Sequence, residues 1–258
     1  MSAPGRVARH LREAPDGPVR VLHHVPTALY VEVAGRCVGV VSPGAARVPC
    51  ALRLSPAELP GVSLGSVLAE VALSPYVVRG TLYLTDDPLV VGRFVDVRVP
   101  RIDPDRILRR AASPAPELAE PPRPASDGLA AYAGLPAAVD SATVARLVGH
   151  GGGLTPLGDD VLCGWLAVLH ATGRLDDATA ALVRAAAPRT TLLSATLLDC
   201  ALHGEVLPEF AAYVAALGTP AERDAASTLM AIGHTSGAGL WFGATHALTT
   251  IAQERDAA

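Results

Sequence analysis

The chain has 258 residues, a formal net charge of −4 and 50% hydrophobic residues, enough to bury a sizeable core without a disulfide or metal staple. Every basic residue is Arg, so there is no Schiff-base lysine, no pyridoxal phosphate anchor and no P-loop lysine; with no Asn there is no N-glycosylation. Only 4% of residues are aromatic and the arginines are dispersed, which argues against a nucleic-acid face.

The opening stretch MSAPGRVARHLREAP is basic but is followed by no apolar run, so it does not read as a secretory signal. No stretch offers the roughly 18–20 uninterrupted apolar residues of a membrane span. A soluble, cytoplasmic protein is expected. Cys37, Cys50, Cys163 and Cys200 form no CxxC pair and read as free, buried thiols of a reducing compartment.

The first 110 residues read as a β-rich domain. Val19–Leu22 is a short apolar run, and Ala28–Val33 alternates before Ala34-Gly35 turns it back into Cys37–Val41 as a hairpin. Val48–Leu54, Thr81–Leu84 and Val90–Val99 are further strand candidates, with Asp86-Asp87-Pro88 as a turn; Val67–Leu73 suits strand or helix. Closely spaced turn signals suggest a small barrel or sandwich. Residues 111–127 include the Pro-rich run Ser113–Pro124 and read as a linker.

Residues 128–258 read as an all-α domain, so the chain as a whole is α+β. Ser141 is a plausible N-cap, Asp159-Asp160 open an apolar helix to about Thr172, and Asp176 starts the next. Thr191–His203 is strongly apolar and closed by Gly204, and Pro208 sits in the first turn of a helix reaching Leu217. Glu222–Ile232 and Ala238 to about Glu254 complete the set.

Two turns in this domain match each other. Gly151-Gly152-Gly153-Leu154-Thr155-Pro156-Leu157-Gly158 leads into the Asp159 helix, and Gly233-His234-Thr235-Ser236-Gly237 leads into the last one. Placing Gly158 on Gly237 also places Gly164 on Gly243, six residues downstream in each case. Helix N-termini carry unpaired N–H groups and partial positive charge, and glycines and hydroxyls suit a bound phosphate or carboxylate. The same glycines also suit two well-capped helices in tight contact.

Gly152, Gly153, Thr155, Gly158, Thr235, Ser236 and Gly237 are therefore candidate ligand contacts. Arg189, Thr190, Thr191 and Ser194 form a third anion-friendly helix start after Pro188. Asp159 and Asp160 would repel a bound anion, so they read as caps, as a general base acting on ligand N–H groups, or as Mg²⁺ ligands. His234, inside a glycine turn, is a candidate acid or base; His150 and His203 are weaker ones. No HExxH or comparable metal motif is present.

The runs GGLTPLGDDVLCG, RTTLLSATLLDCALHGE and GHTSGAGLWFG, in this order over residues 145–250, resemble the AllH family, subunits of bacterial oxamate carbamoyltransferase. The resemblance implies a role in allantoin and purine nitrogen catabolism. There, oxalurate and phosphate are interconverted with oxamate and carbamoyl phosphate by an enzyme of several different subunits. It implies a small anionic metabolite and other subunits as partners, with neither nucleic acid nor membrane. Leu157 stands where that family usually has Ser, and Gly239 where it usually has an acid. Two other readings stay open: a binding or assembly module without chemistry, and a stand-alone Mg²⁺-dependent hydrolase built on the Asp pair.

Overall fold

The computed structural model describes residues 1–55, 74–84, 87–112 and 128–256, and the chain divides into two compact units, Met1–Val97 and Arg98–Ala258. Strands come first and helices follow, so the α+β class holds. The ambiguous segment Val67–Leu73 and the Pro-rich run Ser113–Pro124 lie outside the described residues. Residues 98–112 group with the helical unit.

The first unit holds β1 (Ser2–Pro4), α1 (Gly5–Glu13), β2 (Gly17–Pro18), β3 (Arg20–Val25), β4 (Ala28–Val33), β5 (Arg36–Val41), β6 (Ala51–Arg53), β7 (Tyr76–Val78), β8 (Thr81–Tyr83), β9 (Pro88–Leu89) and β10 (Arg93–Val95). They form a six-stranded sheet, ordered β10-β1-β6-β5-β4-β3, and a four-stranded sheet, β2-β7-β8-β9. Among the described residues neither sheet closes on itself, so the barrel alternative is set aside. The expected hairpin is β4–β5, paired from Ala28↔Val41 to Val33↔Arg36. Ala34 and Gly35 turn it with φ of 44° and 77°, the double positive φ that matches strand twist.

Leu29, Val31 and Val33 of β4, Val38 and Val40 of β5 and Leu52 of β6 share one core with Val77 and Leu82 of the second sheet. Val7 and Leu11 of α1 join them. Helix α1 was not expected from the sequence: it is nine residues long, opens on Gly5, and shows its apolar face only as Val7, Ala8 and Leu11 between charged residues.

The second unit contains α2 (Pro104–Ala112), α3 (Ser141–Leu147), α4 (Leu157–Ala171), α5 (Asp177–Ala186), a 3₁₀ turn (Ala187–Arg189), α6 (Leu192–Leu202), α7 (Pro208–Ala216), α8 (Glu222–Met230) and α9 (Ser236–Asp256). Side-chain caps set the starts of α3, α5 and α6. Asp176 accepts the Thr179 N–H at 2.7 Å, and Thr191 Oγ1 accepts the Ser194 N–H at 3.1 Å. Helix α3 is capped by Asp140, which accepts the Thr143 N–H at 2.8 Å, rather than by Ser141 one residue later. Gly204 ends α6 at φ +69°, where a Cβ would lie 2.4 Å from the His170 ring.

Helix α4 is the centre of this unit, with every residue from Leu157 to Val168 buried. It packs most extensively on α9 and next on α6. Helix α2 is tied down by Arg106, whose guanidinium donates to Leu217 O at 2.7 Å, and by an Arg110–Glu222 pair at 2.6 Å. The four cysteines are free and buried. No helix among the described residues is long and apolar enough to cross a membrane.

Candidate functional site

The matched glycines are where α4 and α9 meet. A Cβ on Gly164 would lie 2.0 Å from Leu240 O, and one on Gly243 would lie 1.8 Å from Val161 O. Only glycine lets the two backbones approach this closely. Gly158 and Gly237 turn out to serve packing as well. Their Cβ positions fall 2.2 Å from Leu147 O and 1.9 Å from Leu229 O, and their N–H groups donate to His150 O and Ile232 O, each at 2.9 Å. Those two N–H groups are thus engaged inside the protein, which moves the weight of the site from backbone donors to side chains.

Asp159, on the first turn of α4 and only 1% exposed, is held by its neighbours. Its Oδ1 accepts the Gly149 N–H at 2.8 Å, its Oδ2 accepts a short hydrogen bond from the Thr190 hydroxyl, and the Ser194 hydroxyl also acts on it. Burial pushes its pKa up, while these three donors pull it down, with burial the larger influence. Gly149 sits at φ +76°, with a Cβ position 2.4 Å from Arg189 O, so this knot joins the loop before α4 to the start of α6. Asp159→Ala would strand buried donors and should cost about 3 kcal/mol. In a thermal melt that is a fall of roughly 6–12 °C for a unit of this size.

Asp160 differs. It is 4% exposed, and its Oδ2 is buried with no hydrogen-bond partner. The hydroxyls of Ser236 and Thr155 act on the carboxyl, and these two hydroxyls bond each other at 2.8 Å. Thr155 comes from the first glycine turn and Ser236 from the second, so the two turns converge at Asp160. Burial, reinforced by the charge of Asp159, raises the Asp160 pKa well above the ordinary carboxylate value; the Ser236 and Thr155 hydroxyls only partly offset this. Protonation of Asp160, which burial favours, would remove the repulsion that a bound anion otherwise meets.

The raised value carries a pH signature. The folded state holds this proton more tightly than the unfolded chain, so stability falls as pH rises from the ordinary 3.8 towards the raised value. Urea titrations at stepped pH should show that decline, and Asp160→Asn should reduce it. An unchanged slope in the variant would mean that Asp160 ionises normally.

The other candidates occupy distinct places. Gly152 and Gly153 lie on an exposed loop with nothing within 4 Å of their Cβ positions. Thr191 both caps α6 and donates to Leu154 O at 2.6 Å, anchoring that loop. Thr235 is half-buried and His234 exposed, both in the turn before α9. Arg189 is exposed and donates to Ala145 O at 2.9 Å. Ser194 is buried against Asp159. His203 lies at the end of α6, with its ring on Asp199 O at 2.7 Å.

Sequence reasoning missed Tyr132. It is 2% exposed, its hydroxyl pairs with His150 Nδ1 at 2.8 Å, and burial and the charges of Asp159 and Asp160 raise its pKa. The one available signal was an aromatic residue standing alone in an Ala- and Gly-rich run. Leu157 and Gly239 are neighbours: a Cβ on Gly239 would lie 2.9 Å from Leu157 Cδ1.

Neither the curated proteins nor the solved structures include a match to this chain. A family model does match, and it covers α4, α6, both glycine turns and most of α9. Residues 147–248 match the family described as oxamate carbamoyltransferase subunit AllH, which places the resemblance on the segment that builds the Asp160 site.

Proposed function

We propose that the chain is one subunit of a multi-subunit carbamoyltransferase in allantoin nitrogen catabolism, interconverting oxalurate and phosphate with oxamate and carbamoyl phosphate. The observation that carries this reading is Asp160. A buried carboxyl oxygen without a partner is costly unless something else completes it. It sits where two hydroxyl-bearing glycine turns meet, inside the stretch that matches the family.

In this reading Thr155, Ser236 and the exposed loop Gly151–Leu154 bind the ligand's oxygens, and Arg189 supplies positive charge at the rim. Asp160 handles the carbamoyl proton; His234 stands at the second turn. Asp159 is a positioning residue that holds the first turn on α6. Catalysis would come from placement and charge stabilisation rather than from a covalent nucleophile.

The test is a thermal shift on the isolated chain with carbamoyl phosphate, oxamate or phosphate, paired with turnover assays with and without the other subunits. Stabilisation by carbamoyl phosphate, and turnover only in the complete complex, is the expected result. Binding with no turnover in the complete complex would make the chain a metabolite-binding module. That outcome is the one favoured by the absence of a hydroxyl at Leu157 and of a carboxylate at Gly239.

A further inference from the structure

Leu157 opens α4 and is 8% exposed. Glycines leave room for its side chain: a Cβ on Gly128 would lie 2.7 Å from Leu157 Cδ2, and one on Gly239 would lie 2.9 Å from Leu157 Cδ1. The same Gly239 position is 2.8 Å from Asp160 Cβ, so Leu157 and Asp160 are neighbours across it. The groups that act on the Asp160 carboxyl are the Ser236 and Thr155 hydroxyls and the Asp159 carboxyl; Tyr132 and Cys163 also feel its charge. No cation is among them.

The donor set suits a divalent cation poorly. Mg²⁺ takes about six oxygens and keeps several waters, and Ca²⁺ takes more. Asp159 engages Oδ1 with the Gly149 N–H and Oδ2 with the Thr190 hydroxyl, which leaves Asp160 Oδ2 as the unpartnered oxygen of the pair. On the side of Asp160 that faces Gly239 lies leucine hydrocarbon, since the Gly239 Cβ position 2.8 Å from Asp160 Cβ is 2.9 Å from Leu157 Cδ1.

We propose that Leu157 is a specificity-determining residue: its side chain, lodged between Gly128 and Gly239, keeps the Asp160 carboxyl for an uncharged hydrogen-bonding group of the ligand, an amide or carbamoyl, and turns divalent cations away. This rests on reading Asp160 as a ligand contact. It also accounts for Gly239, since any side chain there would displace Leu157 or Asp160.

The experiment titrates Mn²⁺ into the full chain and follows the free ion by electron paramagnetic resonance. Wild type, Leu157→Ser, Leu157→Met and Leu157→Ser/Asp160→Asn are compared, with Leu157→Ala in place of Ser if the serine variant does not fold. Opening the cover should give about tenfold tighter Mn²⁺ binding than wild type, as oxygen ligands become reachable. The gain should vanish with Asp160→Asn, and Leu157→Met should match wild type. Leu157→Ser binding no more tightly than wild type would overturn the proposal, as would wild-type binding that Asp160→Asn removes. Turnover plays no part in this readout, so failure here is separable from failure of the transferase reading, which Asp160→Asn activity decides.

Discussion

Asp160→Asn, assayed with the other subunits of the proposed transferase, is expected to lose turnover by about 10²–10⁴-fold, the range for removing a positioned proton-transfer group. Its melting temperature near neutral pH should hardly move. Burial favours the neutral form of the carboxyl, and Asn replaces that form with another uncharged, hydrogen-bonding group of the same shape. The Thr155–Ser236 pair at 2.8 Å gives the amide the same hydroxyl partners. Loss of activity without loss of stability is what separates a working group from a structural one. A variant that is both stable and fully active would remove Asp160 from the chemistry, and a variant that fails to fold would place it in the core. Asp159→Ala makes the contrast, since that residue's three donors predict a stability loss first.

Gly243→Ala is expected to produce the largest stability loss. Its Cβ would sit 1.8 Å from Val161 O and 3.1 Å from Trp165 N, and neither backbone atom can swing aside as a side-chain tip could. The two helices would have to separate along their most extensive packing surface. Overpacking of a core costs about 1–3 kcal/mol and sometimes more, and a rigid backbone clash puts this site at the upper end. The gain of roughly 1 kcal/mol in helix propensity is too small to offset it. A net loss of about 2–3 kcal/mol should lower the melting temperature by about 4–12 °C. Gly152→Ala is the control: nothing lies within 4 Å of its Cβ position, so its stability should stay within about 0.5 kcal/mol of wild type.

The spacing of these glycines was the most legible part of the sequence. Gly158/Gly237 and Gly164/Gly243 announce two helices in register, and the structure places all four against neighbouring backbone. What the spacing could not distinguish was a glycine that admits a ligand from one that admits a helix, because both needs erase the side chain. Gly158 and Gly237 belong to the second kind, Gly152 and Gly153 to exposed loop. The β4–β5 hairpin was legible because Ala34-Gly35 falls between two alternating runs. Helix α1 was not, since Val7, Ala8 and Leu11 are too few to outweigh the charges around them. Tyr132 and Gly149 escaped notice for a different reason: their roles come from contacts with His150 and Asp159 that local pattern does not encode. The Asp pair was seen but not resolved. Adjacent carboxyls look alike in sequence, and only their surroundings show that Asp159 is saturated while Asp160 keeps a bare oxygen.

The most direct measurement is the ¹³C carboxyl resonance of Asp160, assigned by its loss in Asp160→Asn, followed as carbamoyl phosphate is added to the isolated chain. In the free protein it should titrate above the ordinary carboxylate range, in line with its burial. Saturation with carbamoyl phosphate should shift that resonance, with Thr155 and Ser236 moving at the same ligand concentration. A ligand that binds while the Asp160 signal stays still would contradict a site built where the two glycine turns meet.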